Sequence, residues 1–277
     1  MKYLALLAGL VAAPALFIAA RAGAGPSDPS RYAACIEIAP KDPARAMQLA
    51  YAWRIEGGGV ASRHCLAVAQ MHARHYEAAL KSYEAAGQAS EDARDGQAAA
   101  LWRQAGEAAM LAERPADAVR FLTRALAKPG GQELSPRAEA DLLTARAEAQ
   151  VAAGKSDAAM ADLNRATALS PEFFTPWLLK STLARRGGDV ATAEAALLNA
   201  AKLAPESADV ELEAGNIAAA KGDLVLARQA WEAAAADAPD TPAGQAAAAA
   251  LGRMSAKLPE KPLNGGLTGD VLPATPR

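Results

Sequence analysis

The sequence predicts an all-α chain, a solenoid of paired helices, and two observations carry that expectation. The first is a register of 34 residues. Gly154, Gly188 and Gly222 are spaced by it, as are Ala159, Ala193 and Ala227, then Ala166, Ala200 and Ala234, then Pro171, Pro205 and Pro239. A large apolar residue, Leu163, Leu197 or Trp231, stands between the two alanines of each unit. A plain helical bundle has no reason to keep such a register, whereas stacked helix pairs require one. The second observation is composition. Alanine supplies 77 of 277 residues and aromatics only 5%. Alanine is the best helix former, and no sustained alternation of β-branched and polar residues argues for a strand.

The elements follow in order. Met1-Lys2-Tyr3 leads into Leu4–Ala20, a run without charge, and Ala22-Gly23-Ala24 offers small residues for cleavage. Residues 1–24 therefore read as a secretory signal peptide. The alternative is an uncleaved N-terminal anchor, because such a run sits at the lower limit for spanning a bilayer. Either way Lys2 holds the start inside and places the remainder outside the cytoplasm. Residues 25–59 are expected to form short helices that pack on the first repeat, with Gly57-Gly58-Gly59 as a flexible joint.

One unit shows how a repeat works. Pro171 and Pro176 suit the first turn of a helix, where a missing N–H costs nothing. Trp177, Ser181 and Ala184 then fall on one helical face. Gly187 and Gly188 stop the helix, because glycine accepts the left-handed conformation. A second helix carries Ala193, Leu197 and Ala200 on one face, and Pro205 ends it. Small residues let the two helices approach while large ones fill the space beside them.

Going backwards, Trp102, Gly106, Ala118, Leu122 and Ala125 form an earlier unit, and Leu66, Ala67, Ala79, Tyr83 and Ala86 a still earlier one. Corresponding alanines are 39 apart from Ala79 to Ala118 and 41 apart from Ala118 to Ala159. Extra residues are therefore expected around Glu91–Gln97 and Pro129–Pro136. Five repeats occupy residues 60–241. A last helix, 242–257, covers the end of the stack, with Ala246–Ala250 inside and Gln245, Arg253 and Lys257 outside. Residues 258–277, with four Pro and three Gly, read as a disordered tail.

This pattern resembles the tetratricopeptide repeat family, whose units carry an aromatic and a small residue in the first helix, a turn glycine, and alanine, a bulky residue and alanine in the second. Arg74 and Glu113 depart from it at the turn glycine, and Arg63, Leu143 and Glu211 at the first-helix aromatic. The stretch Ser30–Ala69, with Asp42-Pro43 and Trp53 ahead of the glycine run, is similar more loosely to exported bacterial members. The resemblance implies a right-handed superhelical solenoid whose first helices line a concave, partner-binding face. In this sequence that face would hold His64, Val68, Met71, Arg103, Glu107, Met110, Thr144, Glu148, Val151, Leu178, Thr182, Arg185, Leu212 and Asn216. The Lys/Asn clamp that some members use for a partner's C-terminal carboxylate is absent.

Charge and motifs narrow the function. The formal charge is −2, and no Lys/Arg run is long enough to track a phosphate backbone, which disfavours nucleic acid. No Gly-x-Ser-x-Gly elbow or phosphate-binding glycine loop occurs. His64, Cys65, His72 and His75 are the only clustered potential metal ligands, and a helix break near Arg74 would separate His72 from His75; a solvated or groove-lining role suits them better. No cofactor, no metal and no enzymatic activity are expected. Cys35 and Cys65, a single pair in an exported chain, are expected to form a disulfide, the alternative being two buried thiols. The expected function is a non-enzymatic periplasmic adaptor that binds a protein or peptide of the cell envelope, touching membrane only if the leader is uncleaved. The alternative is a structural subunit or chaperone-like factor of an envelope assembly such as secretion, cell-wall or cytochrome c maturation machinery.

Overall fold

Proline, aspartate and glycine punctuate the chain into helices of ten to eighteen residues. In the computed structural model, which describes residues 28–131 and 133–257, thirteen α-helices follow one another and no strand occurs among the described residues. The expected leader, residues 1–24, and the expected tail, residues 258–277, lie outside the described residues. The chain divides into two units at Glu133 and Leu134.

The first unit holds α1 (Pro29–Ile38), α2 (Pro43–Ile55), α3 (Gly59–His72), α4 (Tyr76–Ala93), α5 (Ala98–Leu111) and α6 (Pro115–Leu126). The second holds α7 (Pro136–Ala152), α8 (Ser156–Leu169), α9 (Phe174–Arg186), α10 (Val190–Leu203), α11 (Ala208–Lys221), α12 (Leu224–Asp237) and α13 (Pro242–Lys257). Consecutive helices pack in pairs: α3 with α4, α5 with α6, α7 with α8, α9 with α10 and α11 with α12. Several helix starts are capped by a short side-chain oxygen, although Ser207 ahead of α11 makes no such bond. The Asp28, Asp42, Ser135, Asp189 and Asp223 side chains each accept a backbone N–H of the first turn.

The alanine register is a packing register. Ala79, Ala86, Ala118, Ala125, Ala159, Ala166, Ala193, Ala200, Ala227 and Ala234 are all fully buried, at 0% exposure. Tyr83, Leu122, Leu163 and Trp231 are buried between them, and only Leu197 is left partly exposed. A methyl group at each helix contact lets the backbones approach, and one large side chain fills the remaining space. Gly215 shows how close that approach is: a Cβ there would lie 2.4 Å from the Trp231 ring.

All five turns inside the pairs share one geometry. Arg74, Glu113, Gly154, Gly188 and Gly222 take positive φ of 58°, 58°, 73°, 83° and 83°. In each, the next residue's N–H donates to a carbonyl five residues back, as His75 does to Gln70 and Asp223 to Ala218. That closure satisfies a carbonyl at the helix end. Two of the five units thus hold a side chain where glycine is cheaper. Arg74→Gly and Glu113→Gly are each expected to stabilise the first unit by about 0.5–1 kcal/mol, read as higher denaturant midpoints. A loss at both sites would mean that these side chains earn more than the turn costs.

The extra residues between the early repeats have separate fates. Around Glu91–Gln97 they prolong α4 to Ala93, where Arg94 takes φ 53°. Around Pro129–Pro136 they include a 3₁₀ turn, Pro129–Gly131, which packs on α4, α5 and α6. In the Gly57–Gly59 run Gly57 and Gly59 take positive φ of 91° and 55°, and Gly58 lies against the Trp53 ring. In α13 the helical period, not the whole alanine run, decides burial. Ala243, Ala247 and Ala250 are buried, whereas Ala246, Ala248 and Ala249 are exposed.

Candidate functional site

The first helices of successive pairs in the second unit touch: α7 contacts α9, and α9 contacts α11. Their shared face carries a cavity of about 180 Å³. Ala147 and Val151 of α7, Leu163 of α8, and Leu179 and Leu183 of α9 give it apolar walls, while Glu148, Thr182 and Arg186 supply the polar lining. It exists because α7 and α9 present alanine and β-branched or leucine side chains to each other at helical spacing, leaving a gap that none of them fills. Small-molecule sites usually measure about 300–1,000 Å³. This cavity suits one or two apolar side chains, with charges of both signs beside them.

The other residues expected on the inner face differ in their availability. Leu178 and Thr182 are partly exposed, and Glu148 is exposed. Thr144 is buried, its hydroxyl donating to the Ala140 carbonyl. Arg185 is committed to packing. Its guanidinium grips Glu213 with two bonds of 2.8 and 3.0 Å, tying α9 to α11. Asn216 donates to the same carboxylate and accepts from Trp231 Nε1 at 3.2 Å. Leu212 packs against the Trp231 cluster. Thr144, Arg185 and Asn216 therefore serve the stack rather than an open surface.

In the first unit Val68 packs against the cluster around the cysteines, and Met71, Arg103 and Met110 are partly exposed. Glu107 is exposed. His64 is neither solvated nor grouped with His72 and His75. Its ring stacks on Tyr32 and tilts against Tyr83, both centroids 5.8 Å away, and Nδ1 lies 2.7 Å from the Tyr32 hydroxyl. Nε2 is buried near Gln104 without a well-formed hydrogen bond. His72 ends α3 and His75 precedes α4, so the turn at Arg74 parts them. Among the described residues no group of three or more His, Cys, Asp or Glu is placed to hold a metal.

Burial pushes the His64 pKa down and those of Tyr32 and Tyr83 up, with Glu107 adding to the Tyr83 shift. Below about pH 6.5, the ordinary histidine value, the unfolded chain takes up a proton that the folded ring resists. Stability from His64 is therefore complete above that pH and is lost as pH falls towards the lowered folded value. The wild-type chain is expected to lose more stability between pH 7.5 and 5 than His64→Gln, measured by denaturant midpoints. Equal losses would contradict a half-buried ring held neutral in the fold.

Cys35 and Cys65 are joined as a disulfide, with Cα atoms 6.1 Å apart. The bond ties α1 to α3 inside a cluster of Ala39, Ala46, Ala50, Leu66 and Ala69. Sequence reasoning did not reach the Tyr32–His64–Tyr83 stack or the paired charges. Arg146 and Asp162, which join α7 to α8 through two bonds of 2.7 Å, are likewise absent from the 34-residue pattern. Their partners lie 16 to 32 residues apart, with no repeated counterpart to reveal them.

No family model and no curated protein matches the chain. Solved structures do match. PilW, described as a widely conserved type IV pilus biogenesis factor, superposes with a TM-score of 0.61 at 18% identity, over 78% of this chain and 96% of that one. PilF of Pseudomonas aeruginosa gives 0.58 at 16%, over 80% and 98%. YrrB, a tetratricopeptide repeat protein with an unusual peptide-binding site, gives 0.51 at 20%, over 72% and 95%. Paired helices, a 34-residue register and these superpositions agree. The fold is the tetratricopeptide repeat fold. In its terms α3, α5, α7, α9 and α11 are the first helices of five pairs, and the 180 Å³ cavity lies between the first helices of two neighbouring repeats.

Proposed function

We propose that this chain is a non-enzymatic, exported tetratricopeptide repeat adaptor that binds a protein or peptide segment of the cell envelope. The observation that carries the reading is the apolar cavity between α7 and α9, with Glu148, Thr182 and Arg186 around Val151, Leu179 and Leu183. One leucine-sized side chain placed there contributes roughly 1.5–3 kcal/mol, a strength suited to one anchor of a longer segment. YrrB, of the same fold, is described as having a peptide-binding site. Support for export comes from the leader pattern of residues 1–24 and from the Cys35–Cys65 bond, a pairing typical of oxidising compartments. The partner segment carries an apolar anchor flanked by charges of both signs, complementary to Glu148 and Arg186.

Cross-linked capture from intact cells tests this reading. The chain is expected to recover a small set of envelope proteins. Val151→Glu, which puts a charge into the cavity wall, should abolish that recovery while the melting temperature changes by only a few degrees. Equal recovery by the variant would move the partner away from this cavity. A stable stoichiometric complex would favour a structural subunit of an envelope assembly.

A further inference from the structure

Nearly half of the large apolar side chains left exposed among the described residues gather on one face of the last two repeats. Leu198, Leu224, Val225 and Leu226 are 58, 51, 70 and 53% exposed. Beside them α10, α11 and the start of α12 enclose a groove of about 330 Å³, walled by Leu197, Leu198, Val210, Ile217 and Leu226. The groove shares no residue with the cavity between α7 and α9. Leu226 lines it, whereas Leu224 and Val225 stand next to it as an exposed ridge.

The ridge is peculiar to this repeat. The second helices of the first four pairs open on Tyr76-Glu77-Ala78, Pro115-Ala116-Asp117, Ser156-Asp157-Ala158 and Val190-Ala191-Thr192. Only the fifth opens on three large aliphatic residues, Leu224-Val225-Leu226. A first turn favours acids, as Glu77, Asp117 and Asp157 illustrate. Aliphatic side chains held there in water gain nothing from the helix and lose the benefit of burial. The groove wall shows a related exchange. Leu198 holds the register position of Glu84, which pairs with Arg120 at 3.1 Å across α4 and α6, and Gln229 holds that of Arg120. Where the first unit has a charge pair, this face has leucine and glutamine.

Shape, charge and extent together specify a second copy of the chain as the cover. Ridge and groove are neighbours on one face. A two-fold axis near Leu226 therefore sets the Leu224 and Val225 of each copy over the groove of the other, and the contact closes at two subunits. The charges around the face balance, Glu194 and Asp223 against Lys221 and Arg228, all exposed. Two identical faces thus meet without net repulsion, each offering both signs to the other. Four half-exposed aliphatic side chains amount to roughly 400 Å² per copy, the size of patch that marks an association site. That is about half of what a standard interface takes from each partner, which favours a reversible dimer over an obligate one. A small ligand fits less well, because the rim groups that would orient it are engaged. Glu194 pairs with Lys221, and Asp223 accepts the Leu226 N–H at 3.0 Å.

We propose that the α10–α12 face is the interface of a reversible two-fold homodimer, in which Leu224 and Val225 of one copy enter the groove of the other. Pairing through this face leaves the α7–α9 cavity of each copy unused, so a dimer carries two of them.

Sedimentation velocity on the full chain tests this. A dimer should half-form at roughly 10–100 μM, the range suited to a small interface. The double change Leu224→Ser and Val225→Asp installs the residue types that stand at Ser156 and Asp157 in the same register. It should weaken self-association at least tenfold while the melting temperature holds or rises. Ile55→Asp, at an 87% exposed position of the first unit, should leave the association unchanged. In a second experiment a benzophenone amino acid replaces Val225, and illumination should link it to residues 194–217 of the other copy. Monomer at every concentration, a dimer indifferent to the double change, or intermolecular cross-links confined to other regions would overturn the proposal.

Discussion

Trp102→Ala is expected to destabilise the first unit by about 3–5 kcal/mol, the range for removing a buried aromatic side chain. Trp102 is 1% exposed and stacks on Phe121 with ring centres 5.7 Å apart. Its Nε1 donates to Glu91, and the Arg124 guanidinium, itself paired with Glu91, lies 4.7 Å above the ring. Arg124 holds the Glu91 carboxyl below the usual carboxylate range, with the Trp102 N–H helping. Truncation would therefore leave a cavity and also take a donor from an ion pair that links α4 to α6. Trp177→Ala provides the contrast. Trp177 is only partly buried and its Nε1 donates to the Pro171 carbonyl at 2.9 Å. It should cost no more than about 1.5 kcal/mol, a lost hydrogen bond with little packing. Urea denaturation of the two variants checks both, and similar losses would mean that the register does not distinguish core from surface tryptophans.

Cys35→Ser is expected to remove roughly 3–4 kcal/mol from the oxidised protein, the loop-entropy value for a closed loop of this length. Cys35 and Cys65 are 30 residues apart in sequence and are 2 and 0% exposed. The bond fixes α1 on α3 beside the Tyr32–His64 contact. Under a reductant strong enough to open the bond, wild-type and variant proteins should unfold at nearly the same denaturant concentration. Equal separation of the two curves with and without reductant would assign the loss to packing of the sulfur.

The repeats were legible in the sequence for a physical reason. A helix pair that must fit its copy on each side needs methyl groups at the same contacts, so Ala159, Ala193 and Ala227 repeat because the geometry repeats. The turns were legible where glycine marks them, and at Arg74 and Glu113 by register alone. The cavities were not. Each arises where large residues fall short of filling space, and a missing volume leaves no pattern in a sequence. The charge pairs were hidden for a related reason. Arg185 looked like a partner-facing cation from its position on a first helix, yet Glu213 on the next first helix captures it. Pairing of that kind depends on one local contact between neighbouring repeats. The contact of His64 with Tyr32 was hidden as well, because Tyr32 precedes the repeats altogether.

Stability is expected to run from neighbour to neighbour along the stacked helix pairs. Residue-resolved amide hydrogen exchange on Gly222→Val measures it directly. Gly222 holds φ 83° between α11 and α12, a conformation that a β-branched residue adopts only at a cost of about 1–3 kcal/mol. Protection should fall in α11, α12 and α13 and fade through α10, while α3 to α6 exchange as in the wild type. A uniform loss of protection across all the helices, or none at all, would contradict the account.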